Sequence, residues 1–297
     1  MKTRLIIFVL SLLLLPLAGL WISGSAWHDL PSETPMAIVN PPATLITTMV
    51  LSAYILFVNH MTRLLTGSNP LKAQLDYLSW VGAAGTILVW LLAYLNLYVS
   101  SWTTQKDNPA MQMLLFSPLF ATLAPAVLGT RALLGSLPGT LKYLSRGIAL
   151  HTPGKETLVT VLFTTGVAGL LGGAAWPGQL SWLLWQAPLL LLVALQLMWH
   201  ESTIFDGLGN GNWGRVVFAS LSGIIVANLA VTVYQVNGGI LEINLSHPLL
   251  AQPGYALFGM LCLQLGDVIS ENWRGKQRGA MFRQRKKFPI PVVARKN

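Results

Sequence analysis

The sequence is short of charge. Asp, Glu, Lys and Arg make up only 10% of its 297 residues, whereas hydrophobic residues make up 53%. Typical soluble domains carry about 25% charged residues, because their surface faces water. The scarcity of charge excludes an ordinary soluble domain and indicates a chain that spends most of its length in a lipid bilayer.

Cysteine and the common catalytic motifs are also scarce. The single cysteine, Cys262, excludes an intrachain disulfide and a cysteine metal site. No HExxH, GxSxG, CxxC or glycine-rich phosphate loop occurs. Acidic residues avoid the centres of the apolar runs, and Asp267 and Glu271 fall near the end of the last run, where Arg274 can pair with them. We therefore predict that the protein is not an enzyme, and the sequence disfavours a proton-coupled pump.

Long apolar runs are what the sequence has in place of charge. A helix needs about 20 residues to cross a bilayer, and continuous runs of this length favour helices over a barrel. The sequence therefore predicts an all-α fold, a polytopic membrane helical bundle with eight transmembrane helices. The runs are residues 5–24, 43–65, 80–101, 111–134, 157–176, 180–199, 216–235 and 255–269.

The cations fall on one side of this arrangement. All 19 Lys and Arg residues except Lys106 lie before the first run, at alternate connections or after the last run. Because cationic segments resist translocation, we predict an integral protein of the bacterial inner membrane with both termini cytoplasmic. An eight-helix transmembrane domain of residues 1–273 then precedes a basic cytoplasmic tail of residues 274–297. The lipid bilayer, whose anionic headgroups attract such clusters, is the predicted partner of the tail, and nucleic acid is not.

The first run also has features of a cleavable signal peptide. Two cations precede its apolar stretch, and small residues follow at positions 23–26. Its apolar stretch is longer than the usual signal core, which favours a retained helix. Cleavage would leave the orientation of the other seven helices unchanged.

The two halves of the sequence resemble each other. Residues 117–129 read SPLFATLAPAVLG and residues 247–259 read HPLLAQPGYALFG, with Pro, Ala and Gly at matching positions. The second and sixth runs also end alike, at residues 59–69 and 199–210. The similarity predicts a four-plus-four internal repeat whose units share one orientation. Chance similarity among small residues and leucines is the alternative.

Two histidines and two methionines are candidate ligands. The repeat would make His60 and His200 equivalent, and imidazoles on two helices can ligate haem or a metal. Rings at the headgroup level, without a ligand, are the alternative. Met111 and Met113 begin the fourth run, and thioether sulfur is a soft ligand suited to Cu(I). Ordinary apolar packing is the alternative for both.

The fourth run also carries a sequence resemblance. Residues 110–115 read AMQMLL, residues 117–120 read SPLF, residues 124–125 read AP, and Arg131 follows. This order is similar to that of the CtaG-type cytochrome c oxidase assembly factors, where a His-Met-rich helix start leads into paired leucines, Pro-Leu-Leu, Gly-x-Pro and an arginine. Residues 251–261, AQPGYALFGML, are similar to the Asp-Gln-x-x-x-Gly-x-x-Met segment of that family.

The resemblance implies a non-enzymatic subunit or assembly factor of a membrane redox complex. It implies copper as the metal, other membrane subunits as partners, and Met111 and Met113 as the first ligands to test. His28 and Met36 are candidate helpers on the outer side.

Two further function classes stay open. One is a small-solute or lipid transporter, for which a cavity lined by Asn96, Gln196 and Asn228 would be expected. The other is a membrane anchor that binds haem or quinone through His60 and His200.

Overall fold

The computed structural model describes most of the chain between residues 42 and 273. The predicted first run and the basic tail lie outside the described residues, as do His28 and Met36. The described ranges are 42–67, 74–104, 109–137, 139–150, 154–245 and 247–273.

Seven long helices and one short helix make up nearly all of the described part. Two three-residue strands, β1 (Trp102–Thr104) and β2 (Leu241–Ile243), follow α2 and α7, and single 3-10 turns occur at Leu208–Asn210 and Pro248–Leu250. The helices are α1 (Ala43–Thr66), α2 (Leu75–Val99), α3 (Pro109–Ser136), α4 (Thr140–Leu144), α5 (Lys155–Ala175), α6 (Pro177–Met198), α7 (Gly214–Val236) and α8 (Ala251–Trp273).

Six of the long helices have the length and the hydropathy of membrane spans. They are α1, α2, α3, α5, α6 and α7, and they coincide with the second to seventh predicted runs to within a few residues. The described part is therefore an all-helical bundle of membrane type. The predicted eighth run lies within α8, which is equally long but carries Gln252, Gln264, Asp267 and Glu271 and is less apolar.

The bundle is apolar outside and partly polar inside. Ile87, Leu97 and Leu171 are 72%, 74% and 69% exposed, whereas Gln196 and Gln264 are completely buried. Soluble proteins rarely expose so much contiguous apolar surface, but lipid solvates it well. This distribution agrees with a bilayer as the solvent.

Helices α3 and α8 form the centre of the bundle and contact each other. Helix α3 also packs against α1, α2 and α7, and α8 also packs against α6, α7 and α2. In addition α1 contacts α7, and α2 contacts α6. Each of these contacts has a counterpart when α1 is exchanged with α6, α2 with α7 and α3 with α8. Helix α5 packs along α6 and touches α2.

Small residues allow the closest helix crossings. A Cβ added to Gly85 of α2 would lie 2.6 Å from the Cβ of Ala124 in α3. A Cβ added to Gly223 of α7 would lie 2.6 Å from the Cα of Gly259 in α8. Close approach through glycine and alanine is the usual way in which membrane helices gain packing contacts.

The strands join the two halves at one end of the bundle, which we call the ladder end. β1 and β2 pair antiparallel there. The Asn96 Nδ2 donates to the carbonyl of Trp102, the first residue of β1, at 2.7 Å, and the Gln235 Nε2 donates to the carbonyl of Leu241, the first residue of β2, at 2.8 Å. The opposite end, where Arg131 and Arg215 lie, we call the arginine end.

Candidate functional site

A cavity of about 170 Å³ lies between α1, α2, α3 and α8 at the arginine end. Helices α1, α3 and α8 run towards this end and α2 starts from it, so four helix ends converge there. Apolar side chains, among them Ile55, Leu128 and Leu263, form much of the wall, which is open over part of its area. The polar residues of the lining are Asn59, Thr62, Gln74, Tyr77, Arg131 and Asp267.

Arg131 is the cation of this lining. It lies in the last two turns of α3, and its Nε is buried without a hydrogen-bond partner among the described residues. A buried donor that no group accepts costs about 1–3 kcal/mol, and more when the group is charged. Arg131 therefore brings to the lining a guanidinium whose Nε has no acceptor among the described residues.

The carboxylate of the lining already has a partner. The Arg215 Nη2 at the start of α7 donates to the Asp267 Oδ2 in α8, and the two side chains are 28% and 18% exposed. Arg274, which was expected to pair with Asp267, lies outside the described residues. The Arg215–Asp267 ion pair thus ties α7 to α8 and occupies the acid nearest to Arg131.

The chain between α6 and α7 closes the neighbouring side of the arginine end. It turns back into the bundle and buries Ile204 completely. The Asp206 carboxylate accepts hydrogen bonds from the backbone amide and the hydroxyl of Thr203, each at 3.1 Å, and lies close enough to Asp267 to interact with its charge. At the arginine end the described residues therefore fill the α6–α7 side and leave the cavity on the α1–α2 side.

The two candidate histidines lie at the surface. His60 is exposed on α1. His200 follows α6 with a φ of 56°, is also exposed, and its Nδ1 contacts the Nζ of Lys155. In the described part of the chain α1 and α6 share no extensive contact. A haem or quinone site on this pair stays a prediction.

The candidate copper ligands lie in the first turns of α3. Met113 is 59% exposed, and the side chain of Met111 lies outside the described part of the structure. Within the described ranges no group of three or more His, Cys, Asp or Glu side chains is placed to hold a metal ion. Copper binding by the two methionines stays a prediction.

The amides expected to line a cavity have other positions. Asn96 holds the start of β1, as described above. Asn228 and Gln252 bond each other through both amide groups, at 2.8 and 3.1 Å, and so link α7 to α8. Gln196 is buried in α6, and neither of its amide atoms has a partner among the described residues; the same holds for Gln264 in α8.

Sequence reasoning missed the cavity, although one signal pointed to it. Arg131 and Asp267 both fall inside predicted apolar runs, residues 111–134 and 255–269, close to their ends. A charge inside a membrane span marks a functional position by default. The spatial convergence of these charges with Tyr77 was not visible in the sequence.

Comparisons of the chain with protein-family models, curated proteins and solved structures found no match. The resemblance to the CtaG-type assembly factors therefore stays a prediction.

Proposed function

We propose that the protein is an integral membrane protein of the small-solute or lipid transporter class, and that it holds its ligand in the cavity at the arginine end. The observation that carries this proposal is a cavity whose lining includes Arg131, a cation whose Nε has no hydrogen-bond partner among the described residues. Insertion scales put the cost of an arginine at the centre of a membrane helix at about 2.5–3.5 kcal/mol. Near a helix end the cost is smaller, and a ligand that accepts a hydrogen bond from the guanidinium would offset it.

The proposed topology has eight spans, with residues 5–24 as the first and α8 as the last. The lower hydropathy of α8 is compatible with a span, because α2, α3, α6 and α7 surround it and reduce its contact with lipid. The cation distribution supports a bacterial inner membrane, cytoplasmic termini and a cytoplasmic arginine end.

The proposed architecture is a four-plus-four repeat. Its support is the set of helix contacts that survives exchange of α1–α3 for α6–α8, together with the matching amide bonds of Asn96 and Gln235 at the two strands. Transporters built from repeats bind their substrates near the bilayer midplane, where the repeats meet. In the proposed architecture α1, α2 and α3 form part of one unit and α8 part of the other, so the cavity lies on their boundary, towards the arginine end rather than at the midplane.

The proposal can be tested with a substitution that fills the cavity and leaves its charged residues unchanged. Ala132 is part of the lining, so Ala132→Phe would occupy the space, whereas Ala83→Phe on the exposed face of α2 adds the same side chain outside it. Native mass spectrometry of protein released from lipid nanodiscs should show a bound small molecule or lipid on the wild type and on Ala83→Phe. Ala132→Phe should lose it. A wild type without such an adduct, or an adduct that Ala132→Phe retains, would contradict the proposal.

The two other function classes have separate tests. A redox-complex assembly factor should hold copper after Cu(I) loading, and a haem anchor should show a Soret band in the purified protein. Both measurements use the same preparation as the mass spectrometry. Neither result depends on the cavity.

A further inference from the structure

We infer that the ligand of the cavity carries a phosphate group, and that Arg131 is the residue that binds it. The inference rests on the proposed ligand-binding function and specifies its substrate class. It is carried by the chemistry of the lining, by the charges next to it and by the size of the space.

The guanidinium of Arg131 is suited to a phosphate. Its planar N–H groups match the spacing of phosphate oxygens, and bonds between two charged groups are about twice as strong as neutral ones. Among the described residues, Asp267 is the carboxylate of the lining, and Arg215 already donates to it. No described residue accepts a hydrogen bond from the Arg131 Nε, and a phosphate oxygen can take that role.

The local charge favours an anion at this position. Next to the cavity the positive charge of Arg215 pairs with the negative charge of Asp267. Asp206 is not part of the lining, and its carboxylate accepts hydrogen bonds from Thr203. Among the described residues Arg131 makes no ion pair of its own, although the charge of Asp267 reaches it. Burial of such a charge is tolerated best when a counter-charge binds it.

A second cation lies on the face of α1 that carries Asn59 of the lining. Arg63 is exposed on α1, four residues after Asn59 of the lining, so both project from the same face of the helix, one turn apart. Thr62, by contrast, donates its hydroxyl hydrogen to the carbonyl of Val58 at 2.9 Å. The arginines, rather than this hydroxyl, supply donors for an incoming anion.

The space fits a headgroup rather than a whole lipid. Pockets for drug-sized ligands span about 300–1,000 Å³, and a water molecule occupies about 30 Å³. A volume of about 170 Å³ holds a phosphate with a few attached atoms, and the open part of the wall leaves room for the remainder outside. Basic pockets between helix ends on the cytoplasmic side are known to hold phospholipid headgroups. A phospholipid and free phosphate are the two sources of this chemistry.

Thermal unfolding of the full-length protein in a neutral detergent, with three probes, tests the inference. The probes are dioctanoyl phosphatidylglycerol, dioctanoylglycerol, which has the same chains without the phosphate, and inorganic phosphate against sodium chloride of equal ionic strength. A phosphate-bearing ligand should raise the unfolding temperature, because it binds only the folded state. Dioctanoylglycerol should not raise it.

Two substitutions of Arg131 and one matched control locate the effect. Arg131→Gln should weaken binding of the phosphate-bearing probe by about tenfold or more, the loss expected for one charged hydrogen bond. Arg131→Lys keeps the charge and the fold but loses the planar donor pair, so it should weaken binding less. Arg146→Gln removes an exposed arginine outside the lining and should leave binding unchanged.

The outcomes distinguish a failure of the phosphate inference from a failure of the proposed ligand-binding function. A rise in unfolding temperature with phosphatidylglycerol alone identifies a lipid source. An equal rise with inorganic phosphate identifies the free ion. Either result supports the inference if Arg131→Gln or Arg131→Lys reduces the rise. An equal shift with dioctanoylglycerol, no shift with any probe, or a shift that both Arg131 variants retain would overturn it. The proposed function fails separately, when Ala132→Phe does not remove a bound adduct in nanodiscs.

Discussion

The triplet α1–α3 and the triplet α6–α8 have the same set of helix partners, although α1 packs far more extensively on α3 than α6 does on α8. They also differ at the arginine end. The first triplet encloses a hollow with Arg131, Tyr77 and Asn59 in its lining, whereas in the second the chain after α6 folds inward and buries Ile204. The matching segments 117–129 and 247–259 lie 130 residues apart in the sequence. At this offset Arg131 corresponds to Leu261, which is 2% exposed. Similar helix packing thus coexists with different polar chemistry, because small residues determine the crossings and a few charged residues determine the site.

The matching glycines of α3 and α8 face different helices, α1 and α7. In the matching segments Gly129 of α3 corresponds to Gly259 of α8. A Cβ on Gly129 would have Val58 Cγ1 as its nearest neighbour, at 3.6 Å, which is ordinary contact. A Cβ on Gly259 would lie 2.7 Å from the Cα of Gly223 and would also overlap the backbone carbonyl of Ala219. The α7–α8 crossing is therefore a backbone-to-backbone contact that has no room for a side chain.

The largest effect is expected from alanine at these matched glycines. Gly259→Ala should destabilise the bundle by about 3 kcal/mol, the upper range for overpacking, because backbone atoms of α7 have to move. Gly129→Ala should change stability by less than about 1 kcal/mol, since the space exists and alanine favours the helix. Unfolding of both variants in detergent measures the difference. Equal stability of the two variants would show that the α7–α8 crossing relaxes freely.

The second prediction concerns the ion pair beside the cavity. Arg215→Gln should lower the free energy of unfolding by about 1–3 kcal/mol, less than the 3–5 kcal/mol for a fully buried pair, because both side chains are partly exposed. It should also weaken phosphate binding, since Asp267 is then released to pair with Arg131. Asp267→Asn should strengthen binding, because the competing carboxylate is gone.

Titration of each variant with dioctanoyl phosphatidylglycerol measures this effect. Arg146→Gln is again the control, because it removes one positive charge away from the cavity. Identical affinities in the Arg215→Gln and Asp267→Asn variants would contradict competition between Asp267 and the ligand for Arg131.

The bundle was largely predictable from the sequence, and the site was not. Apolar runs locate α1, α3 and α7 to within a few residues, since only long apolar helices satisfy the backbone in lipid. Helix α2 starts at Leu75, five residues before the predicted run of residues 80–101. Its first residue, Leu75, is buried against the bundle, so burial extends the helix beyond the apolar run at its N-terminus. The site depends on Tyr77, Arg131 and Asp267 from three helices, and no local pattern relates them. His60 and Met113 were chosen for their ligand chemistry, which carries no information on exposure.

A smaller effect is expected at the ladder end, where one amide side chain bonds the first residue of each strand. Asn96→Ala removes the bond to the Trp102 carbonyl and a second, 3.3 Å bond from the Trp102 amide, and should cost about 1 kcal/mol. Gln235→Ala removes one exposed bond to the Leu241 carbonyl and should cost about 0.5 kcal/mol. Thermal unfolding of the single and double variants measures both. A larger loss in Gln235→Ala than in Asn96→Ala would contradict this order.

The smallest effect is expected from leucine at Met111 and Met113 together. Leucine has a similar volume and Met113 is mostly exposed, so the free energy of unfolding should change by less than about 0.5 kcal/mol. The same variant tests the copper hypothesis, which requires near one Cu(I) per wild-type chain after loading and none in the double variant. Met49→Leu, also exposed but on α1, is the control for a thioether lost elsewhere. A wild type that retains no copper would contradict the hypothesis, and copper that survives the double substitution would place the metal on other residues.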